Sequence, residues 1–150
     1  MRWFWLWIAL ATSLSAATLL RWETDLDIAT ERARTEGKLI LIEFTGLSWV
    51  PPCVDLHEAV FDSAQFRAWT ANMVLVSFDY PVRKDRTPAK IAANPVLAER
   101  IKIKNRFAIR GFPTLIVRTP TGEEIDRVVG YSSGMGTDAY LAAFDVATRP

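Results

Sequence analysis

The sequence is poor in cysteine and histidine, and neither sign of charge is in clear excess. Its 150 residues contain one cysteine, Cys53, and one histidine, His57. A single cysteine excludes an internal disulfide, and these two side chains alone are too few ligands for a metal site. The 18 basic and 17 acidic residues leave a net charge of +1, which gives no long-range attraction to nucleic acid. We predict no metal, no cofactor and no nucleic-acid partner.

Apolar material is plentiful, since 50% of the residues are hydrophobic and 11% are aromatic. Arg2 is followed by an apolar run from Trp3 to Ala11 and then by Ser15-Ala16-Ala17, which indicates a signal peptide cut after Ala17. The run is also near the lower length limit for a membrane span, so a retained N-terminal anchor is the alternative. We predict a signal peptide or membrane anchor over residues 1–20, a folded domain over 21–150, and export to the periplasm or cell envelope.

Patterning along the rest of the chain predicts alternating helices and strands. The predicted helices cover 25–36, 51–70 with a break near 62–63, 95–107, and a last segment that Thr137 caps. The predicted strands cover 38–44, 73–80, 114–118 and 124–130, and the basic segment 81–93 is predicted as a loop. This order predicts an α/β fold with a mixed central sheet of about four strands and helices on both faces.

Three local segments carry a resemblance to a known family. Phe44-Thr45-Gly46-Leu47-Ser48-Trp49-Val50-Pro51-Pro52-Cys53 joins a strand end to a helix start, and Gly111-Phe112-Pro113-Thr114 precedes a later strand. A third run, Glu58-Ala59-Val60-Phe61 with Phe66 beyond it, follows the first. Together they resemble the thioredoxin superfamily, whose Trp-Cys-x-x-Cys motif faces a cis-proline loop. The residues around the motif match the family here, but Val50 occupies the position of the attacking cysteine.

The resemblance implies a defect in redox chemistry. Dithiol exchange needs an exposed thiol of lowered pKa and a second thiol that resolves the mixed disulfide. Val50 cannot supply the first, so Cys53 is left either as a buried, slow-reacting thiol or as a monothiol that forms mixed disulfides. Glu43 matches the family's buried strand acid, which assists proton transfer at the resolving thiol. The alternative for Glu43 is a carboxylate at the strand end that reaches solvent.

The resemblance also implies a binding surface for extended polypeptide, and on this sequence it falls to Trp49, Val50, Pro51, Phe112 and Pro113. We weigh three hypotheses: binding of a protein or peptide at the cis-proline groove without dithiol turnover, monothiol exchange through Cys53 in envelope redox homeostasis, and a structural role. His57 stands four residues after Cys53 and is predicted to be solvated or at the core edge. The basic residues of 81–93 are predicted to form a solvated loop rather than a site for an acidic partner.

Overall fold

The computed structural model describes residues 19–144, so the predicted signal peptide or anchor and its cleavage point lie largely outside the described part of the chain. The strands are β1 (Trp22–Glu23), β2 (Leu39–Thr45), β3 (Met73–Asp79), β4 (Thr114–Arg118) and β5 (Glu124–Val129). The helices are α1 (Leu26–Glu36), α2 (Pro51–Leu56), α3 (Ala64–Trp69), α4 (Pro88–Ala93), α5 (Pro95–Arg106) and α6 (Thr137–Leu141). No helix among residues 19–144 is long and apolar enough to cross a membrane.

One five-stranded sheet of order β1-β3-β2-β4-β5 organises the fold. Strands β1, β3 and β2 run parallel to one another, whereas β4 is antiparallel to both β2 and β5. The predicted mixed sheet with helices on both faces is confirmed. The fifth strand is the short β1, whose Trp22 lies beside Leu75 of β3.

Local sequence explains where α1 begins and ends. The Asp25 carboxylate accepts hydrogen bonds from the backbone N–H groups of Asp27 and Ile28, as an N-cap does. Gly37 follows the helix in the left-handed region, with φ of 65°, which glycine adopts without a steric penalty. The chain then enters β2 directly, and the helix packs its Ala29 and Ala33 face on the sheet.

The side chains of strand β2 contribute to two core clusters, one on each face of the sheet, because successive side chains of a strand point to opposite sides. Ile40, Ile42 and Phe44 pack into the cluster that includes the α1 face. Leu41 packs into the other cluster, with Leu56 of α2. Glu43 shares the side of Leu41, so the strand aims a carboxylate towards the helix that carries Cys53.

Three stretches differ in detail from the sequence-based expectation. The predicted break near residue 62 is present, and it is preceded by a π-helical turn over His57–Phe61. The segment 81–93, predicted as a loop, contains a 3₁₀ turn over Arg83–Asp85 and helix α4. That helix forms because the Thr87 side chain caps it and a proline occupies its first turn, where the missing N–H costs nothing. Thr137 is the first residue of α6 rather than its cap, and its hydroxyl donates to the Ala59 carbonyl.

Candidate functional site

Helix α2 begins at the segment where the resemblance places a redox motif. Val50 is the N-cap residue in an extended conformation, and Pro51 and Pro52 fill the first turn. The Cys53 backbone N–H donates to the Val50 carbonyl at 2.9 Å, so positions 50 and 53 lie one helical turn apart. Val50 is half-buried, whereas Cys53 has no exposed surface. The outer position of the motif is therefore apolar and the inner one is inaccessible.

The surroundings of Cys53 keep its thiol protonated. Burial raises the pKa of the Cys53 thiol, and the negative charges of Glu43 and Asp79 raise it further. The nearby Thr45 side chain and Gly46 backbone lower the pKa of the thiol but do not cancel the effect. Because the thiolate is the reactive species, these surroundings make Cys53 a poor nucleophile.

Glu43 lies in a buried network beside this thiol. Its side chain has no exposed surface, so the alternative in which it reaches solvent is excluded. His57 Nε2 lies 2.6 Å from Glu43 Oε1, and the Ser77 hydroxyl donates to Oε2 at 2.7 Å. Burial raises the pKa of the nearby Tyr140 phenol, and the negative charge of Glu43 raises it further. Both carboxylate oxygens thus have polar partners, as a buried acid requires.

His57 contacts Glu43 rather than forming a pair with Cys53. Its side chain is 31% exposed, and its ring lies at a tilt of 50° to the Phe61 ring with the centres 4.5 Å apart. Within residues 19–144 there is no group of three or more side chains suited to hold a metal ion. The predicted position at the core edge is what the structure shows, but sequence analysis missed the contact between His57 and Glu43. No local signal reveals this contact, because Glu43 is in β2 and His57 is in the π-helical turn after α2, and only tertiary packing brings them together.

Trp49 projects from the loop before α2 and is 37% exposed. Its indole N–H donates to the Tyr80 carbonyl at 2.8 Å, which fixes the orientation of the ring. Gly46 makes this placement feasible, since a Cβ there would lie 2.7 Å from Trp49 Nε1. A shallow depression of about 330 Å³ runs beside the ring, past Val50 and Pro51.

The second segment of the resemblance lies against this loop. The ring of Phe112 meets the Trp49 ring edge-on, 6.0 Å between centres, and stacks on Tyr80 at 5.2 Å. The Phe112–Pro113 peptide bond is cis. Pro113 is buried and its carbonyl accepts a hydrogen bond from Gly130, whereas the backbone N–H and C=O of Phe112 have no hydrogen-bond partner among the described residues.

The fold and this site define a class of protein. A family profile described as a thioredoxin-like domain matches residues 26–145, and the chain belongs to that family. The structure is similar to one titled DsbH oxidoreductase, with a TM-score of 0.69 at 24% identity, covering 93% of this chain and 90% of that one. A thioredoxin from Thermus thermophilus has the same fold, with a TM-score of 0.59 at 17% identity, over 86% of this chain and 87% of the other.

Two curated relatives from Chlamydia pneumoniae carry names from disulfide chemistry. The chain is 25% identical over 135 residues to the disulfide bond reductase DsbH, covering 89% of this chain and 76% of that protein. It is 20% identical over 118 residues to the thioredoxin-related protein DsbJ, covering 78% of this chain but 32% of that protein. The chain therefore spans about a third of the length of DsbJ. It is related to proteins named for disulfide handling while having a single cysteine.

Proposed function

We propose that this chain is an exported thioredoxin-like domain that binds an extended segment of a partner protein without dithiol exchange. The bound segment would lie across the outer surface, defined here as Trp49, Val50, Pro51 and Phe112. The observation that carries the proposal is the contrast between an apolar Val50 at the helix start and a sole thiol with no exposed surface one turn below it. The export part of the proposal is supported by the composition of residues 1–20.

Backbone geometry beside the outer surface supports binding of an extended chain. The free N–H and C=O of Phe112 form a short edge to which another strand can add, and neighbouring apolar side chains then contact alternate residues of that strand. Pro113 was predicted to share this pairing role. It has no N–H, and its carbonyl is already bonded to Gly130, so we assign the pairing to Phe112 and leave Pro113 a supporting position.

The test places a charge on the outer surface without disturbing the helix. Val50→Asp adds a carboxylate at an N-cap position, where aspartate is favourable, so we expect a folded protein of equal or greater stability. Binding of a reduced and alkylated, permanently unfolded polypeptide should weaken by roughly 10-fold or more, because the added charge must be desolvated. Titration followed by fluorescence anisotropy of the labelled polypeptide measures the change.

A matched control exists on another helix. Val96 is 62% exposed in the first turn of α5, so Val96→Asp also adds an acid near a helix start, but away from the outer surface. It should leave binding unchanged. The proposal is wrong if the wild-type protein shows no saturable binding, or if the two variants bind equally well.

Monothiol exchange through Cys53 is the second candidate, and the position of that thiol beside the buried acid Glu43 favours it. Labelling with iodoacetamide at neutral pH separates the two functions. The binding function predicts labelling of the folded protein at least about 1000-fold slower than that of the denatured protein, since the buried thiol reacts only through rare opening. Labelling of the folded protein at the rate of a free thiol would establish the monothiol instead.

A further inference from the structure

One guanidinium beside the outer surface lies over an aromatic ring and has no charged partner among the described residues. Arg86 follows the 3₁₀ turn after β3, and its Cζ lies 5.6 Å from the centre of the Trp49 ring. A cation over a tryptophan ring is attracted by the ring's negative face, which holds the guanidinium in place. Within residues 19–144 the guanidinium has neither a hydrogen-bond partner nor an ion pair, and its Nε is buried. A half-buried charge without a partner is a candidate for binding an anion.

The acidic residues near Arg86 have other partners. Asp85 accepts a hydrogen bond from Lys90 Nζ at 2.5 Å. Asp79, at the end of β3, accepts from the Leu47 backbone N–H at 2.9 Å and so stabilises the loop that carries Trp49. Neither carboxylate forms an ion pair with Arg86, so its charge remains available on this side of the outer surface.

Positive charge accumulates around the same place. The Arg100 guanidinium donates to the Asp79 carbonyl at 2.9 Å, and Lys104 Nζ donates to the Ile109 carbonyl at 2.8 Å. Burial lowers the pKa of Lys104, and the charge of Arg86 lowers it further, which indicates that these two cations lie close enough to repel each other. An incoming carboxylate would relieve that repulsion.

We infer that the segment bound at the outer surface carries an acidic side chain next to its apolar contact residue, and that Arg86 binds this carboxylate. The inference rests on the proposed function. Apolar contact with Trp49 and Val50 and strand pairing at Phe112 hold the segment. The terminal nitrogens of a guanidinium match the two oxygens of a carboxylate, and the half-buried setting strengthens their attraction. The ligand class is an extended peptide that combines an apolar and an acidic residue, rather than any unfolded chain.

Three fluorescein-labelled decapeptides test this assignment on the unmodified protein. They share an alternating valine and threonine sequence with a central phenylalanine, and differ in having glutamate, glutamine or lysine beside it. We expect the glutamate peptide to bind roughly 10-fold more tightly than the glutamine peptide, and the lysine peptide most weakly. The difference should shrink as salt is raised, because the interaction is partly screened.

Variants of the 3₁₀ turn identify the residue responsible. Arg86→Gln should abolish the preference for glutamate, because it removes the charge. Arg86→Lys should keep part of the preference, since the charge remains but the planar pair of N–H donors of the guanidinium is lost. Arg83→Gln removes an exposed cation from the same turn and should leave the preference intact. Thermal unfolding of each variant confirms that it is folded before affinities are compared.

The outcomes separate this inference from the proposed function. Equal binding of the glutamate and glutamine peptides by the wild-type protein overturns the role of Arg86 and leaves peptide binding standing. Persistence of the preference in Arg86→Gln also overturns it, whatever the result for Arg83→Gln. Absence of saturable binding for all three peptides overturns the proposed function, and the inference with it.

Discussion

Val50 and Cys53 lie one helical turn apart and differ in almost every physical respect. Val50 faces a shallow apolar depression, next to an exposed tryptophan ring. Cys53 is buried above a carboxylate that is fully satisfied by an imidazole and a hydroxyl. The outer position lacks the thiol that exchange requires, whereas the carboxylate beside the inner position has a polar partner at each oxygen. Glu43 can therefore stabilise the fold independently of any chemistry at Cys53.

Placing a thiol at position 50 is the most direct test of the difference between Val50 and Cys53. Val50→Cys puts a second thiol one turn from Cys53, a spacing compatible with a disulfide. We expect an internal disulfide on mild oxidation, and insulin-disulfide reduction roughly 100-fold or more above the background of the wild-type protein. Thiol titration and the turbidity of reduced insulin measure the two effects.

Val54→Cys is the matched control for this gain. Val54 lies on the same helix and is 36% exposed, but adjacent helical residues do not face each other, so no internal disulfide should form. Dithiol activity in the wild-type protein, or failure of Val50→Cys to oxidise internally, would show that the segment does not have the geometry described here.

Removing the inner carboxylate should have the largest effect on stability. Glu43→Ala leaves a cavity and deprives His57 and Ser77 of their partner, so we expect the free energy of unfolding to fall by about 2–4 kcal/mol. Glu43→Gln keeps the shape and part of the hydrogen bonding and should cost about half as much. Urea denaturation measures both.

A conservative substitution at the outer position is the control for the loss of stability expected of Glu43→Ala. Val50→Thr alters a half-buried N-cap residue and should change the free energy of unfolding by no more than about 0.5 kcal/mol. If Glu43→Ala is as stable as Val50→Thr, the buried network does not stabilise the fold.

The smallest expected effect comes from titration of Cys53. Its pKa is raised in the folded protein, so the neutral thiol contributes stability that is complete below the ordinary cysteine pKa and is lost as pH rises towards the folded value. The stability advantage of the wild-type protein over Cys53→Ala should therefore narrow by up to about 1 kcal/mol between pH 8 and pH 10. Val54→Ala, which removes no titrating group, should keep a constant difference from wild type over the same range.

Sequence patterning was sufficient to predict the helices and strands that have strong periodicity or clear boundaries. The Asp25 cap and Gly37 end define α1, and the apolar runs define β2 and β3. Strand β1 was not predicted, because two residues show no period and their strand character comes from pairing with β3. Helix α4 was missed although Thr87 and Pro88 signal its start, since the basic composition of the segment favoured a loop.

Part of the candidate site could likewise be predicted from the sequence, and part could not. Trp49, Val50 and Cys53 lie within one five-residue segment, so their arrangement at a helix start could be predicted from the sequence. The contact of His57 with Glu43 and the position of Arg86 over Trp49 could not, because each depends on how separate elements pack. Propensity and spacing describe neighbours along the chain, whereas these contacts are tertiary.

The two outer strands of the sheet have a consequence for self-association. An exposed strand edge invites pairing with a second copy of the chain, and charged side chains along it oppose such pairing. Strand β1 is only two residues long, and its Glu23 is held by Arg21 and Arg32. Strand β5 carries Glu124 and Arg127, which are paired with each other. Both borders of the sheet therefore carry features that oppose edge-to-edge pairing of two copies: one strand is too short to pair extensively, and both present charged side chains.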